Sequence, residues 1–194
     1  METEIIAGVD EAGRGPLAGP VVASAVCILG QNHVIEGIAD SKTLDPLRRQ
    51  QIYEAMLKHP QFIIAVSVVD VALIDQINIL QATLLAMKQA IEKLSIQPSK
   101  VLVDGPHVPD VSIPCEGIIG GDGLHECIAA ASIIAKVHRD TLMENYHEKW
   151  PEYGFNKHKG YATVFHREVL SKLGPCDIHR KSFKLSGTAK IESA

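Results

Sequence analysis

Gly8-Val9-Asp10-Glu11-Ala12-Gly13-Arg14-Gly15-Pro16-Leu17-Ala18-Gly19-Pro20-Val21-Val22 is the stretch that decides how this chain folds. It begins at the end of one short apolar run, Ile5 to Val9, and closes on the start of another, Val21 to Leu29. β-Branched residues dominate both runs, and such side chains pack well on a pleated surface, so both are predicted strands. Between them stand two adjacent carboxylates, Asp10 and Glu11, and then an arginine flanked by glycines. Glycine beside a strand end lets the backbone turn sharply and lets other groups approach closely.

Working outward, Phe62 to Val69 is a third run of the same kind, so the first third of the chain is predicted to be a β-meander. Asp45-Pro46 predicts a helix start, with Asp45 as N-cap and Pro46 at the first helical position, and an end near His59-Pro60. Ile74, Ile77, Leu84, Met87, Ile91 and Leu94 recur at helical spacing and predict an amphipathic helix from Val71 to Leu94. Val101-Leu102-Val103 and Ile118-Ile119 are predicted strands. A long helix is expected from His125 to Lys149, stopped by Trp150-Pro151, and a last one over Ala162 to Lys172. Hairpin strands followed by helix-linked strands indicate an α/β domain with a mixed sheet.

The chain has 194 residues, 46% hydrophobic and 22% charged, which suits one domain with a real core. That domain is expected over residues 1–183, with a C-terminal helical part from about 150, and the polar residues 184–194 are expected to form a disordered tail. Uninterrupted apolar stretches are only about five to ten residues long, short of the ~20 that span a bilayer. No basic-then-apolar leader is visible, so a cytoplasmic protein is expected. Cys27, Cys115, Cys127 and Cys176 lie far apart without a Cys-x-x-Cys pair, which predicts free thiols rather than a structural zinc site. Nine histidines include no His-Glu-x-x-His pattern, and no Gly-x-x-x-x-Gly-Lys-Ser/Thr loop supports nucleotide triphosphate binding. A net charge of −4 argues against a general polyanion binder; a nucleic-acid substrate would need a local basic patch or metal ions.

The chemical signal is where the acids fall. Asp10-Glu11 ends the first run, Asp104 ends Val101-Leu102-Val103, and Asp122 follows Ile118-Ile119-Gly120-Gly121. If these strands are neighbours, four carboxylates meet at one edge of the sheet and raise one another's pKa values. A divalent cation removes that repulsion, and oxygen ligands without histidine or cysteine select Mg2+ or Mn2+. Two such ions about 4 Å apart serve in-line displacement at a phosphodiester. Taken singly, each acid also reads as a turn residue or a cap, Asp122 above all, since it could cap the helix beginning near His125.

The opening stretch resembles the N-terminal signature of ribonuclease HII. The resemblance continues through Asp40-Ser41-Lys42, Asp75 with Asn78-Ile79, Val103-Asp104-Gly105 and Gly121-Asp122. It then takes in Ile128 to Val137 with Arg139-Asp140, Tyr153-Gly154-Phe155, His158-Lys159-Gly160-Tyr161 and His179-Arg180-Lys181-Ser182-Phe183. It implies a ribonuclease H-like fold: a mixed five-stranded sheet flanked by helices, with a small C-terminal helical extension. It also implies that Asp10, Glu11, Asp104 and Asp122 are the catalytic and metal-binding acids, holding Mn2+ or Mg2+. The implied activity is endonucleolytic cleavage of RNA in RNA–DNA hybrids and at single ribonucleotides embedded in duplex DNA. The cut would lie 5′ of the ribonucleotide and leave 3′-hydroxyl and 5′-phosphate ends.

By the same resemblance Gly13-Arg14-Gly15 would read the 2′-hydroxyl that separates RNA from DNA, and Tyr161 would pack on the sugar beside the junction. Ser41, Lys42, Lys136, Arg139, Lys159 and Arg180 are candidate phosphate contacts, with Lys42 and Lys136 ranked above Arg139 and Arg180. Ser132, Lys136 and Arg139 share one helical face at i, i+4 and i+7. An acid near Arg139 is an alternative partner for it. Two positions depart from the family pattern: Gly120 stands where lysine is frequent and Cys127 where serine is common. Neither removes an acid.

Two rivals share part of this pattern. A ribonuclease H-like DNA nuclease would keep the acids without needing Gly13-Arg14-Gly15 and Tyr161, and a non-catalytic binding module would gain nothing from clustered carboxylates. Ribonuclease HIII normally carries an extra N-terminal domain, whereas the signature here begins at about residue 8. No protein partner is legible.

Overall fold

The computed structural model describes residues 4–30, 35–38 and 44–183. Strands β1 (Ile6–Ala12), β2 (Val21–Ile28) and β3 (Phe62–Val69) form the expected antiparallel meander. β4 (Lys100–Asp104) joins β1 in parallel, and β5 (Cys115–Ile118) joins β4 in parallel. The sheet is therefore mixed and five-stranded, in the order β3-β2-β1-β4-β5. Helices α1 (Pro46–Lys58), α2 (Val71–Glu92), α3 (Glu126–Lys149), α4 (Phe155–His158) and α5 (Val164–Leu173) complete the chain.

The sheet is covered on both faces. Ala7, Val9, Ala23 and Ala25 bury one face against Ala82, Ala86, Met87 and Ile91 of α2. Val26 on the other face meets Ile52 and Met56 of α1 and Ile133 and Ile134 of α3. This is why β2 is apolar at nearly every position and does not alternate. Small residues set how closely α3 approaches. Ala129, Ala130 and Ala131 are fully buried, and a Cβ added to Gly8 would sit 2.2 Å from the Cys127 carbonyl carbon. The helix thus rests on β1 at backbone distance, and the buried Ser24 hydroxyl is satisfied by donating to the Ala131 carbonyl at 2.7 Å.

Local signals place most helix ends. The Asp45 carboxylate accepts from the Arg48 amide at 2.9 Å, with Pro46 opening α1 as expected. α2 differs from the continuous helix predicted. At Asn78 the backbone leaves the helix (φ 67°, ψ 165°), and the Asn78 side-chain oxygen caps the second half by accepting from the amides of Leu80 and Gln81. Apolar periodicity runs straight through this break and does not show it. By length and composition α2 would suffice to cross a bilayer, but its apolar face is spent on the sheet. β5 lies earlier than Ile118-Ile119, and α5 begins two residues later than predicted, capped by the Thr163 hydroxyl. A separate cluster around Met143, Tyr153 and Phe155 packs the C-terminal helices. The tail expected over 184–194 lies outside the described residues.

Candidate active site

The β1–β4 ladder ends at Val9 opposite Val103, so the next residues along the two strands are Asp10 and Asp104. The apolar run predicts that Asp10 and Glu11 end the first strand, but β1 continues through them to Ala12. They stay in its ladder with β2, opposite Ser24 and Ala23. The acids are therefore fixed by a pairing partner on one side and open on the other. Asp122 does not end β5 either. It sits in a 3-10 turn, Gly121–Gly123, entered through Gly120 in the left-handed region (φ 68°). Glycine at 120 suits that conformation, so the departure from lysine has a backbone reason. The Gly121 amide donates to Asp104 Oδ1 at 2.8 Å, which ties the Asp122 turn to the end of β4. Asp122 is no helix cap: His125 holds the N-cap position of α3, without a side-chain bond.

Asp10 and Asp122 are only 6% and 4% exposed. Burial first, then the charges of Glu11 and Asp104, hold the Asp10 carboxyl well above the usual carboxylate range, against the Ser132 side chain, which favours the ionised form. Glu11 is also raised, mainly by burial, and Arg14 Nη1 at 3.3 Å works in the opposite direction. Among the described residues no three His, Cys, Asp or Glu side chains are arranged to share an ion as they stand. Three of the four carboxylates are turned to local donors instead: Asp10 to the Glu11 amide (2.7 Å), Glu11 to Arg14, Asp104 to Gly121. The donor set still fits a hard divalent cation. It is all oxygen, partly buried and mutually repulsive, and Glu11 needs only to leave an exposed arginine.

Beside the acids a cleft of about 310 Å3 gathers Glu11, Gly13, Arg14, Gly15, Lys136 and Tyr161. Gly13 has φ 101°, and a Cβ there would lie 2.1 Å from Arg139 Nε; one on Gly15 would face the Tyr161 ring at 3.6 Å. Tyr161 is 47% exposed, so its ring is available to a ligand. Lys136 pairs with Asp140 at 2.9 Å and Lys159 with Glu144 at 2.7 Å. The Lys136–Asp140 pair is partly exposed and such a pair contributes little to stability. Ser41 and Lys42 lie outside the described residues.

Arg139 and Arg180, candidate phosphate contacts in the sequence, are instead buried and bound to backbone carbonyls, although Arg139 also lines the cleft. Each is 1% exposed. Arg139 donates to the carbonyls of Pro20, Lys159 and Ala18, not to an acid. Arg180 donates to those of Gly13, Arg14, Gly19 and Pro20. Burial, then the Arg139 charge, pulls the Arg180 guanidinium down to about 9. The two arginines are internal braces that shape the loop from Gly13 to Pro20. One signal for Arg139 was present in the sequence: Ala135, Arg139 and Met143 follow one another at i+4, and the first and last are core residues.

A mixed sheet of this order, with acids at the carboxyl ends of its central parallel strands, beside a glycine-lined cleft, defines a ribonuclease H-like nuclease. The family model for ribonuclease HII matches residues 7–186. Ribonuclease HII of Chlamydia caviae is 54% identical over 179 residues, covering 92% of this chain and 84% of that one. Among solved structures, ribonuclease H2 from Pyrococcus horikoshii superposes with a TM-score of 0.77 at 29% identity, covering 93% of this chain and 94% of the other. The ribonuclease HII of Archaeoglobus fulgidus, solved in complex with PCNA, gives 0.79 at 27% identity and covers 96% and 98%. The chain belongs to the ribonuclease HII family, and is a metal-dependent endonuclease of the ribonuclease H type.

Proposed function

We propose that this enzyme hydrolyses RNA in RNA–DNA hybrids and cuts on the 5′ side of single ribonucleotides embedded in duplex DNA, leaving 3′-hydroxyl and 5′-phosphate ends. The observation that carries this reading is the cleft itself. It sets Gly13-Arg14-Gly15 and the Tyr161 ring next to Glu11, so that sugar recognition and the acids share one wall.

Asp10, Glu11, Asp104 and Asp122 would hold Mg2+ or Mn2+. Bound there as a pair, such ions supply activation of water and neutralisation of charge on the leaving oxygen. Asp10, whose carboxyl is raised by burial and by the charges of Glu11 and Asp104, would be the central ligand, Glu11 and Asp104 would help to hold the ions, and Asp122 would hold the ion that activates water or orient that water. Backbone groups of the Gly13–Gly15 turn approach the ribose 2′-hydroxyl, which selects the substrate and is not the nucleophile. Tyr161 packs on the adjoining deoxyribose, and Lys136 gives up Asp140 for a backbone phosphate.

The test is cleavage, with and without Mg2+ or Mn2+, of three matched duplexes: all DNA, RNA–DNA hybrid, and DNA with one ribonucleotide. Metal-dependent cutting of the last two alone, 5′ of the ribonucleotide, is expected. Cutting of all-DNA duplex would instead favour the DNA-nuclease reading, and cutting of the hybrid alone would remove single-ribonucleotide recognition.

A further inference from the structure

Behind Tyr161 lies a group of imidazoles that this chemistry does not use. His166 and His179 are buried, with their Nε2 atoms 3.0 Å apart. Their tautomers follow from the partners at the two outer ends. His166 Nδ1 lies 2.8 Å from the Tyr161 carbonyl, which can only accept, so Nδ1 carries the proton and Nε2 the lone pair. His179 Nδ1 lies between the Cys176 amide at 2.9 Å and the Cys176 carbonyl and thiol, each at 3.2 Å; the amide can only donate and is the nearest, so there Nδ1 has the lone pair and Nε2 the proton. The two assignments, made from opposite ends, agree: His179 Nε2–H donates to His166 Nε2. A directed chain of neutral rings runs from the Cys176 amide to the Tyr161 carbonyl.

The same backbone is held from its other side. His158 stacks on His166 with ring centroids 4.4 Å apart, donates through Nε2 to the Tyr153 carbonyl and accepts the Gly160 amide at Nδ1 (3.2 Å). Two imidazoles therefore bracket Gly160-Tyr161, one at an N–H and one at a C=O. At the far end His179 bridges Ala18 in the backbone and leads into Arg180, whose guanidinium braces Gly13 and Gly19. Burial pulls the His166 imidazole down to about 4, in keeping with a neutral ring.

We propose that His166 and His179 are positioning residues for junction recognition, tying the Tyr161 backbone to the segment that braces the Gly13–Gly15 turn and so setting the spacing between the two halves of the ribose-reading cleft. The proposal rests on the reading of Tyr161 and that turn as the sugar-recognition elements. An inert core pair would stabilise the fold and affect all substrates alike. A positioning pair acts on the ratio between a single ribonucleotide in DNA and a continuous hybrid, because one junction then supplies all the recognition.

Imidazole nitrogen NMR on the full chain at neutral pH is expected to show His166 protonated at Nδ1 and His179 at Nε2. The same tautomer in both, or a charged ring, overturns the proposal. In kinetics, His166→Ala removes the donor to Tyr161, whereas His166→Asn keeps an N–H near the Nδ1 position. Misplacement of a recognition group costs up to about 100-fold. His166→Ala is therefore expected to lower kcat/KM on the single-ribonucleotide duplex about tenfold more than on the hybrid, and His166→Asn to restore most of that ratio. Combined with Tyr161→Ala, it should lower the ratio no further. Equal losses on both substrates, no recovery with Asn, or a further fall in the double variant sinks the idea. If the Ala variant does not fold, His166→Gln, which keeps a group at Nε2 but no donor at Nδ1, takes its place against His166→Asn. The parent reading is tested separately: an unchanged ratio in Tyr161→Ala alone overturns both, while a changed ratio there with an inert His166→Ala overturns only this one.

Discussion

Arg180→Ala separates a brace from a phosphate contact. In the wild type the guanidinium donates to Gly13 O at 2.5 Å, Gly19 O at 2.7 Å and Arg14 O at 2.9 Å, with a longer bond to Pro20 O that Arg139 shares. Gly13 and Gly19 are buried, so alanine leaves at least two buried carbonyls without this donor. At about 1–3 kcal/mol for each unsatisfied buried group, the loss is about 4 kcal/mol. For a chain of this size that corresponds to a fall in Tm of roughly 10 °C. Arg180→Lys keeps the charge but cannot span the same carbonyls with one ammonium, so an intermediate loss is expected. Urea or thermal unfolding measures stability, and binding of an uncleaved hybrid over a salt series measures phosphate contacts. An unchanged Tm in Arg180→Ala, together with a salt slope smaller by about one, would refute the brace and restore Arg180 as a phosphate ligand.

Asp10→Asn is expected to cut cleavage roughly 10³-fold or more, about 4 kcal/mol of transition-state stabilisation. Its Tm without metal should hold or rise at neutral pH. Because folding raises the Asp10 pKa, the metal-free wild type should lose stability as pH climbs from the usual carboxylate range toward the raised value, and the variant should lose less; parallel unfolding series across pH check both. Tyr161→Ala should hurt the single-ribonucleotide duplex most and leave metal affinity unchanged, an aromatic contact of this kind contributing about 1–3 kcal/mol at most; matched-salt cleavage of both substrates decides it. Gly13→Ala meets both a positive φ and the Arg139 side chain, so about 1–3 kcal/mol of destabilisation is expected, read as a lowered urea midpoint. Lys136→Ala should reduce the salt slope of hybrid binding by about one while sparing the ratio between the two substrates.

The local features of this protein were legible in its sequence. Four of the five apolar runs became strands, Asp45-Pro46 opened a helix, and Asp10, Glu11 and Asp104 fell on the strands that carry them, because strand propensity and caps are set by residues a few positions apart. The resemblance that began at Gly8-Val9-Asp10-Glu11 pointed to the family that the comparisons then supported. What stayed hidden depends on groups far apart in the chain. Arg180 has the composition of a phosphate ligand, and only its meeting with carbonyls some 160 positions earlier makes it a brace. Asn78 breaks a helix whose apolar pattern is continuous, since the break is written in one backbone angle and not in the period. Gly8 passes for an ordinary strand glycine until the backbone at Cys127 is found against it. The sequence alone pointed to the acids proposed to carry the chemistry and to the segments that form the sheet. The tertiary structure decided which polar side chains line the cleft and which are consumed inside, because burial and hydrogen-bond partners are properties of packed surfaces and not of neighbours along the chain.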